Sequence, residues 1–294
     1  MGVTTHDAMD AVIREKRHAL LQGFDLRGKR GLEIGPLCFP LATRPECDVI
    51  YVDHCTTEQL LEKYKGHSNI DPQKIVNVDF VWGERGVREV VPRGGVDYII
   101  ASHVVEHVPD LVGWLIEMSD CLVEGGELAL VVPDKRFTFD VYRRCAALDE
   151  IRLAHAELRR RPGFRCVLDH FCNVVSADAW ALWSDYSSVK GLKFNNPPEL
   201  AELAAREHGQ GKYIDVHCWV FTPWHFLEVL GVLIEEFGLP FDLCHFKTTP
   251  KFNLEFYVRL RKGAPRTDWM AAVSAAREAA LWPEPWALAL EYAA

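Results

Sequence analysis

The feature that most constrains the fold is a short apolar segment that runs into a glycine turn, Gly31-Leu-Glu-Ile-Gly-Pro36. A second apolar segment, Asp48-Val-Ile-Tyr-Val-Asp53, ends in an acidic residue at about the 20-residue spacing of a nucleotide-binding βαβ unit. In such a unit the glycine turn lets the backbone approach the ligand, and the distant carboxylate accepts hydrogen bonds from ribose hydroxyls. The two segments therefore predict a crevice for an adenosyl cofactor.

Strands alternate with helices along the first part of the chain. Apolar runs predict strands over residues 29–34, 48–53, 75–79, 96–101 and 127–133. A covering helix is predicted over residues 7–22, and another begins after the N-cap Asp110 and stops at Gly125-Gly126. This alternation predicts an α/β fold with a doubly wound, mostly parallel sheet.

The alternation breaks after Pro133 and resumes at Thr222-Pro223, which predicts a helix start with proline at its first position. Gly238 is predicted to end this helix. Two strands, 241–246 and 253–262, follow this helix, and the turn between them is too short for a parallel crossover. They are therefore predicted to pair antiparallel. We expect three parts: a cofactor domain of residues 1–133 and 222–263, a helical cap over 134–221 that binds the acceptor, and a helical tail over 264–294.

Composition narrows the class of protein. The net charge is −9, and this argues against a nucleic-acid or anionic-membrane binder, since both surfaces attract basic proteins. No apolar run is long enough to span a bilayer, and the N-terminus lacks a signal pattern, so a cytoplasmic protein is expected. The nine cysteines show no Cys-x-x-Cys, and no metal site is predicted. Trp269, Trp282 and Trp286 leave packing on the domain or in a homodimer open.

Several local patterns together resemble the class I S-adenosylmethionine-dependent methyltransferases, in the manner of the type 11 small-molecule enzymes. They are Glu33-Ile-Gly35, Asp53, Asp79, Ala101-Ser-His-Val-Val-Glu-His107-Val-Pro-Asp110 and Leu122-Val-Glu-Gly-Gly-Glu-Leu-Ala-Leu-Val-Val-Pro133. The antiparallel closing strands agree with this resemblance. It implies a Rossmann-like seven-stranded sheet with an antiparallel last strand and a helical cap insertion. It also implies S-adenosyl-L-methionine as cofactor and methylation of a biosynthetic acceptor.

The resemblance further implies which residues at the first two strand ends contact the cofactor. Glu33, Gly35 and Pro36 would line its methionyl end. Asp53 would hold the ribose, with His54 beside it.

Two more strand ends complete the implied cofactor site. Asp79 would accept a hydrogen bond from the adenine amino group, with Phe80 against the ring. Ser102 and His103 would lie beside the amino-acid moiety and the transferable methyl group. His107 is interpreted as a structural residue that starts the following helix.

The glycine turn departs from the family pattern, because Leu37-Cys-Phe39 stands where further glycines are usual. A pyrophosphate needs close backbone approach and a bare helix N-terminus, so this departure disfavours an NAD-dependent oxidoreductase. S-adenosylmethionine has no phosphate and tolerates fewer glycines.

A histidine base is predicted for the chemistry. Methyl transfer is an in-line displacement that depends on positioning, and a hydroxyl acceptor also benefits from a base that titrates near neutral pH. The candidates are His170 in Asp169-His-Phe-Cys-Asn173, His217 in Tyr213-Ile-Asp-Val-His-Cys-Trp219, and His103. Asp134 is a further candidate to orient a base or bind the acceptor. A packing role stays open for each histidine.

The acceptor is predicted to be a saccharide or other small molecule methylated at oxygen. Basic residues crowd the start of the cap and are compatible either with an anionic acceptor or with a solvated helix face; they are Lys135, Arg136, Arg143, Arg144, Arg152, Arg159, Arg160, Arg161 and Arg165. Methylation at nitrogen or carbon, and a non-catalytic binding subunit of the same fold, are the alternatives.

Overall fold

The computed structural model describes residues 5–67, 70–82, 86–264 and 266–280. Its centre is a seven-stranded sheet with the order β3-β2-β1-β4-β5-β7-β6. The strands are β1 (Arg30–Ile34), β2 (Asp48–Asp53), β3 (Phe80–Val81), β4 (Val96–Ser102), β5 (Leu122–Pro133), β6 (Phe241–Lys247) and β7 (Glu255–Lys262). Strands β1 to β5 are parallel, and β7 lies antiparallel between β5 and β6. The predicted Rossmann-like sheet with an antiparallel last strand is confirmed.

Helices cover both faces of this sheet. Within the described ranges they are α1 (Thr5–Leu20), α2 (Thr57–Lys63), α3 (Leu111–Cys121), α4 (Leu148–Ala156), α5 (Phe164–Asn173), α6 (Ala179–Ser184), α7 (Pro198–Gly209), α8 (Pro223–Phe237) and α9 (Trp269–Glu278). Two predicted caps are confirmed. The Asp110 carboxylate accepts a hydrogen bond from the Gly113 amide at 2.8 Å, and Gly238, at φ 62°, ends α8 in the left-handed conformation that glycine adopts without strain.

The third strand differs from the prediction over residues 75–79. The Asp79 carboxylate accepts a hydrogen bond from the Tyr51 amide at 2.8 Å, so a side chain occupies the position that a ladder hydrogen bond would take. Strand β3 consequently lies directly after the predicted segment, at Phe80–Val81, where Val52 pairs with Phe80 and Asp53 with Val81.

The Gly125-Gly126 pair also has a different role from the predicted helix stop. Helix α3 ends at Cys121, and β5 starts directly after it. The register of β5 against β4 shifts between the pairs Val96–Leu122 and Tyr98–Glu127. Gly125 has φ +78°, so the glycines accommodate an irregularity within the strand rather than a helix end.

The core is divided by the sheet. On one face the β-strands pack against α3 and α8, whose Trp114, Leu115, Phe226 and Leu230 are fully or almost fully buried. On the other face α1 lies over Tyr98 and Tyr257. Burial of apolar surface on both faces is the main stabilising term for such a sheet.

Residues 134–221 form helices α4 to α7 and short 3₁₀ turns. Strand pairing in this segment is limited to two isolated bridges. One bridge joins Asp134 to Phe221, so the two ends of the segment meet beside β5. The division into cofactor domain, acceptor-binding cap and tail stays a prediction. No helix among the described residues is long and apolar enough to cross a membrane. Trp282 and Trp286 lie outside those residues.

Candidate active site

The glycine turn after β1 is tight and lies against the segment that follows β4. Gly35 has φ +66°, and its amide donates a hydrogen bond to the Val52 carbonyl at 2.8 Å. A Cβ atom at Gly35 would lie 3.4 Å from Cγ2 of Val104. Pro36 is buried beside it. The turn therefore brings the ends of β1, β2 and β4 together, as a cofactor crevice at the carboxyl ends of parallel strands requires.

Glu33 fixes the loop that follows this turn. Its two carboxylate oxygens accept hydrogen bonds from the amides of Leu41 and Ala42 at 2.7 and 2.8 Å. Burial raises the pKa of Glu33 to about 7, against the opposing effect of those two amides. The predicted contact of Glu33 with the methionyl end of the cofactor stays a prediction; its observed partners are backbone groups of the loop.

Asp53 lies at the end of β2 and is only 3% exposed. Its Oδ1 accepts a hydrogen bond from the His54 amide at 2.7 Å and lies 2.6 Å from His54 Nδ1. Nε2 of His54 is 2.9 Å from Nζ of Lys63. The structure shows no partner for Oδ2 among the residues it describes, so this carboxylate fits the predicted role of accepting hydrogen bonds from a ribose.

The predicted adenine contacts have other partners. Asp79 forms an ion pair with Arg44 besides its bond to the Tyr51 amide. Phe80 is buried in the core. Trp82, which the sequence did not single out, is half-buried, and its amide donates to the Asp53 carbonyl at 2.7 Å. The contacts of Asp79 and Phe80 with adenine stay a prediction, and Trp82 is a further aromatic residue at the end of β3.

Ser102 ends β4, and His103 follows it at φ 55° with its amide bonded to the Val131 carbonyl at 3.0 Å. The His103 ring lies between two carboxylates, with Nε2 2.6 Å from Glu255 and Nδ1 3.5 Å from Glu106. Burial disfavours the charged ring, but the two carboxylates outweigh it and raise the pKa of His103 to about 9. The raised pKa makes His103 a poor proton acceptor at neutral pH. Its predicted place beside the methyl group of the cofactor stays a prediction.

Five side chains next to His103 form a group that we call the histidine cluster: Glu106, His107, Asp140, Asp215 and His217. His217 Nδ1 is 2.5 Å from Asp140, and His107 Nδ1 is 2.9 Å from Asp215. The two imidazole rings meet edge to face at 4.7 Å. His217 Nε2 lies 4.0 Å from Oε1 of Glu106. Both histidines therefore use Nδ1 for a carboxylate and keep Nε2 for other partners.

Backbone hydrogen bonds join the segment that contains Glu106 and His107 to the segment that contains Asp215 and His217. The Glu106 carbonyl accepts hydrogen bonds from the amides of Cys218 and Trp219 at 2.6 and 3.1 Å. The Trp219 indole donates to the Val108 carbonyl at 2.6 Å. The 3₁₀ turn Val105–His107 is thereby fixed to the segment that contains His217.

Arg143 bonds to the Asp140 carboxylate oxygen that does not contact His217. It is 2% exposed and donates to Asp140 at 2.7 Å, to Asp169 at 2.6 Å and to the His217 carbonyl at 2.9 Å. Burial would raise the pKa of Asp140, but His217 and Arg143 outweigh it and lower the value to about 2. Asp140 is therefore an anion at neutral pH, and its contact with Nδ1 orients the His217 ring.

His170 lies on α5, with its ring 6.4 Å from that of His217. Burial, with a smaller effect of Arg143, lowers the pKa of His170 to about 4, so the ring is neutral at neutral pH. Its buried Nδ1 has no hydrogen-bond partner among the residues described. The neighbouring Asp169 bonds to Arg143 and Asn173 instead, so neither Asp169 nor Asn173 orients the His170 ring.

The basic residues at the start of the cap are largely paired. Asp134 forms a buried ion pair with Arg136 at 2.6 Å and accepts a bond from the Thr249 hydroxyl at 2.6 Å, which leaves it no role with a base. On the surface, Arg152 pairs with Glu236 and Arg165 with Glu150. These pairs favour the structural interpretation of the basic residues over an anionic acceptor.

A doubly wound sheet that closes with an antiparallel β7 and carries a buried acid at the end of β2 defines the class I S-adenosylmethionine-dependent methyltransferase fold. A family model described as a methyltransferase domain matches residues 6–206. The chain belongs to this methyltransferase family, which confirms the predicted enzyme class and its cofactor, S-adenosylmethionine. A comparison with curated proteins gives no match.

Solved structures of similar proteins have low sequence identity to this chain. An S-adenosylmethionine-dependent methyltransferase from Mesorhizobium loti is 11% identical, with 86% of this chain and 100% of that chain covered and a TM-score of 0.44. Magnesium protoporphyrin IX methyltransferase from Synechocystis with bound S-adenosylhomocysteine is 10% identical, with 90% of each chain covered and a TM-score of 0.37. The N-methyltransferase NodS from Bradyrhizobium japonicum, in complex with S-adenosylhomocysteine, is 10% identical, with 86% of each chain covered and a TM-score of 0.38.

Proposed function

We propose that the protein methylates a hydroxyl oxygen of a small biosynthetic acceptor such as a saccharide, and that the hydroxyl is activated at the histidine cluster. The observation that carries this proposal is the buried Asp140–His217 pair, in which Asp140 holds Nδ1 and leaves Nε2 unbonded. A histidine oriented by a carboxylate through one ring nitrogen is a common arrangement for proton transfer at the other.

We expect the cofactor to bind on the side of this pair that faces the glycine turn. Bound S-adenosylmethionine supplies an electrophilic methyl group on a sulfonium. Gly35 and Asp53 would hold it, because one lets the backbone approach closely and the other offers a free carboxylate oxygen. Val104, against Gly35, is followed within three residues by Glu106 and His107 of the histidine cluster. A nucleophile bound at the cluster would therefore adjoin the cofactor turn, as an in-line displacement demands.

Of the three predicted bases, His217 fits best. His103 is already protonated at neutral pH. His170 is neutral but has a pKa of about 4, which makes it a weak base, and no carboxylate bonds to its ring. The imidazolium that His217 would form on accepting a proton is stabilised by Asp140 at 2.5 Å.

The proposal is tested by transfer of a labelled methyl group from S-adenosylmethionine into a metabolite and glycan extract, with mass identification of the product. The rate on that product is then compared between the wild-type protein, His217→Ala and His170→Ala. We expect His217→Ala to lose roughly 10²- to 10⁴-fold in turnover, with S-adenosylhomocysteine affinity unchanged. Equal turnover of His217→Ala and wild type would sink the assignment and favour a nitrogen or carbon acceptor, while absence of cofactor binding would favour a non-catalytic subunit.

A further inference from the structure

Three side chains of the histidine cluster present ligand atoms to one point. Atoms of Glu106, His107 and His217 that can bind a metal all lie within 4.8 Å of one another. We propose that these three residues bind one divalent transition-metal ion. The sequence analysis predicted no metal site, because the three ligands do not follow a known metal-binding motif along the chain.

The histidines are arranged as metal ligands usually are. A ligating histidine binds the ion through one ring nitrogen and donates a hydrogen bond from the other to a carboxylate, which fixes the ring and its tautomer. Asp215 serves His107 in this way at 2.9 Å, and Asp140 serves His217 at 2.5 Å. Both Nε2 atoms are thereby left with their lone pairs available.

The second observation in favour of a metal ion is that the buried Glu106 carboxylate lacks hydrogen bonds. Its side chain is 1% exposed, and neither carboxylate oxygen accepts a hydrogen bond from any residue in the described part of the chain. The neighbouring nitrogens are His103 Nδ1 at 3.5 Å and His217 Nε2 at 4.0 Å from Oε1. A buried carboxylate without hydrogen bonds is costly. A cation between Glu106 and the two Nε2 atoms would supply the missing partner.

The donor set selects the kind of ion. Two imidazoles and one carboxylate suit Zn²⁺, Co²⁺, Fe²⁺ or Mn²⁺, whereas Ca²⁺ and Mg²⁺ prefer sites made of oxygen ligands. Three protein ligands leave at least one coordination position for an acceptor oxygen. The side chains of His107 and Asp215 are 33% and 58% exposed, which gives the ion a path from solvent.

The site deepens the proposed function and rests on it for its chemical role, while ion binding itself does not depend on that role. With the ion bound, His217 would act as a ligand instead of as the base of the metal-free site, because its single available lone pair, on Nε2, can go to the metal or to a proton but not to both. An acceptor hydroxyl coordinated to the ion would then lose its proton to solvent, because a bound cation lowers the pKa of a coordinated hydroxyl. The acceptor oxygen forms its bond to the methyl carbon as the sulfur–carbon bond breaks, and that electron pair stays on sulfur.

Mn²⁺ titration followed by electron paramagnetic resonance tests the site. Mn²⁺ avoids interference from the nine cysteines, since it prefers oxygen and nitrogen over thiolate ligands. We expect one bound Mn²⁺ per wild-type chain, with electron-spin-echo modulation from two imidazole nitrogens. His107→Ala and His217→Ala should each lose one nitrogen coupling.

Conservative variants separate binding from folding. Changes to residues that support a ligand typically lower metal affinity about 10- to 100-fold. We expect Asp140→Asn and Asp215→Asn to fall in that range and Glu106→Gln to lose more. His155→Ala is the matched control, because His155 also bonds a carboxylate, that of Asp110 at 3.1 Å, outside the cluster.

The proposal is overturned if wild type binds no more Mn²⁺ than Glu106→Gln, or if the nitrogen couplings survive in both histidine variants. S-adenosylhomocysteine titration of the same samples keeps this result apart from the proposed function, since cofactor binding and methyl transfer are measured without reference to the bound Mn²⁺.

Discussion

Asp140 and His217 lie 77 positions apart in the chain and are joined by a 2.5 Å contact between Oδ2 and Nδ1 in the protein interior. The contact makes Asp140 a positioning residue for the proposed hydroxyl activation. Asp140→Asn keeps the shape but can favour the wrong His217 tautomer. We expect turnover to fall by roughly 10²-fold or more while KM for S-adenosylmethionine stays within about twofold. Steady-state kinetics with the identified acceptor measure both. A parallel loss of cofactor affinity would instead indicate a structural role.

The predicted hydrogen bond from the cofactor ribose to Asp53 should contribute much of the binding free energy of the cofactor. A hydrogen bond to a charged group contributes about 1.5–3 kcal/mol, so Asp53→Asn is expected to weaken S-adenosylhomocysteine binding by roughly 10- to 100-fold in isothermal titration. Asp48→Asn, at the other end of β2 and paired with Arg30 on the surface, is the control and should bind normally. Equal affinity of the two variants would refute the ribose contact.

Replacing Gly35 by Ala should strain the backbone and also disturb the turn that contacts the cofactor. A non-glycine residue in the left-handed region costs roughly 1–2 kcal/mol, and the Cβ of Gly35→Ala would also contact Val104. We expect lower unfolding free energy together with weaker S-adenosylhomocysteine binding. Gly28→Ala is matched in conformation, at φ +73°, but its Cβ meets no atom within 4 Å. Gly28→Ala should therefore lose stability and keep its cofactor affinity. If Gly35→Ala and Gly28→Ala changed the affinity for S-adenosylhomocysteine equally, the proposed contact of the Gly35 turn with the cofactor would be contradicted.

Glu33 should make stability depend on pH. Burial raises its pKa from 4.5 to about 7 in the folded state, so the folded protein holds this proton at pH values where the unfolded chain has released it. The stabilising contribution is complete below the unfolded pKa and is lost as pH rises toward 7. The loss is about 3 kcal/mol at ~1.4 kcal/mol per pKa unit. Urea unfolding between pH 4.5 and 7 should therefore show a weaker fall in stability for Glu33→Gln than for wild type. Glu62→Gln, an exposed change, should parallel wild type, and identical slopes in all three proteins would disprove the pKa shift.

The sheet was predictable because its signals are local. Apolar runs predicted β1 and β2, and Asp110 and Gly238 marked helix ends through hydrogen bonds and backbone conformations that act within a few residues. The shifted start of β3 was not predictable, since it depends on where the Asp79 side chain finds the Tyr51 amide.

The candidate site was predictable only in part, for a reason that concerns distance along the chain. Glu106-His107 lies within a recognised family pattern, but its contacts to Asp215 and His217 are made about a hundred residues away and exist only after folding. Arg143 was read as a member of a basic surface because its burial against Asp140 and Asp169 has no local signature.

The most direct measurement of the central claim uses S-adenosylmethionine that carries a ¹³C-labelled methyl group. The product is isolated from the extract reaction, and the ¹³C chemical shift of the transferred methyl group is recorded. We expect a methoxy carbon in the wild-type product and little product from His217→Ala. A methyl group on nitrogen or carbon, or a methoxy product formed as fast by His217→Ala as by wild type, would contradict it.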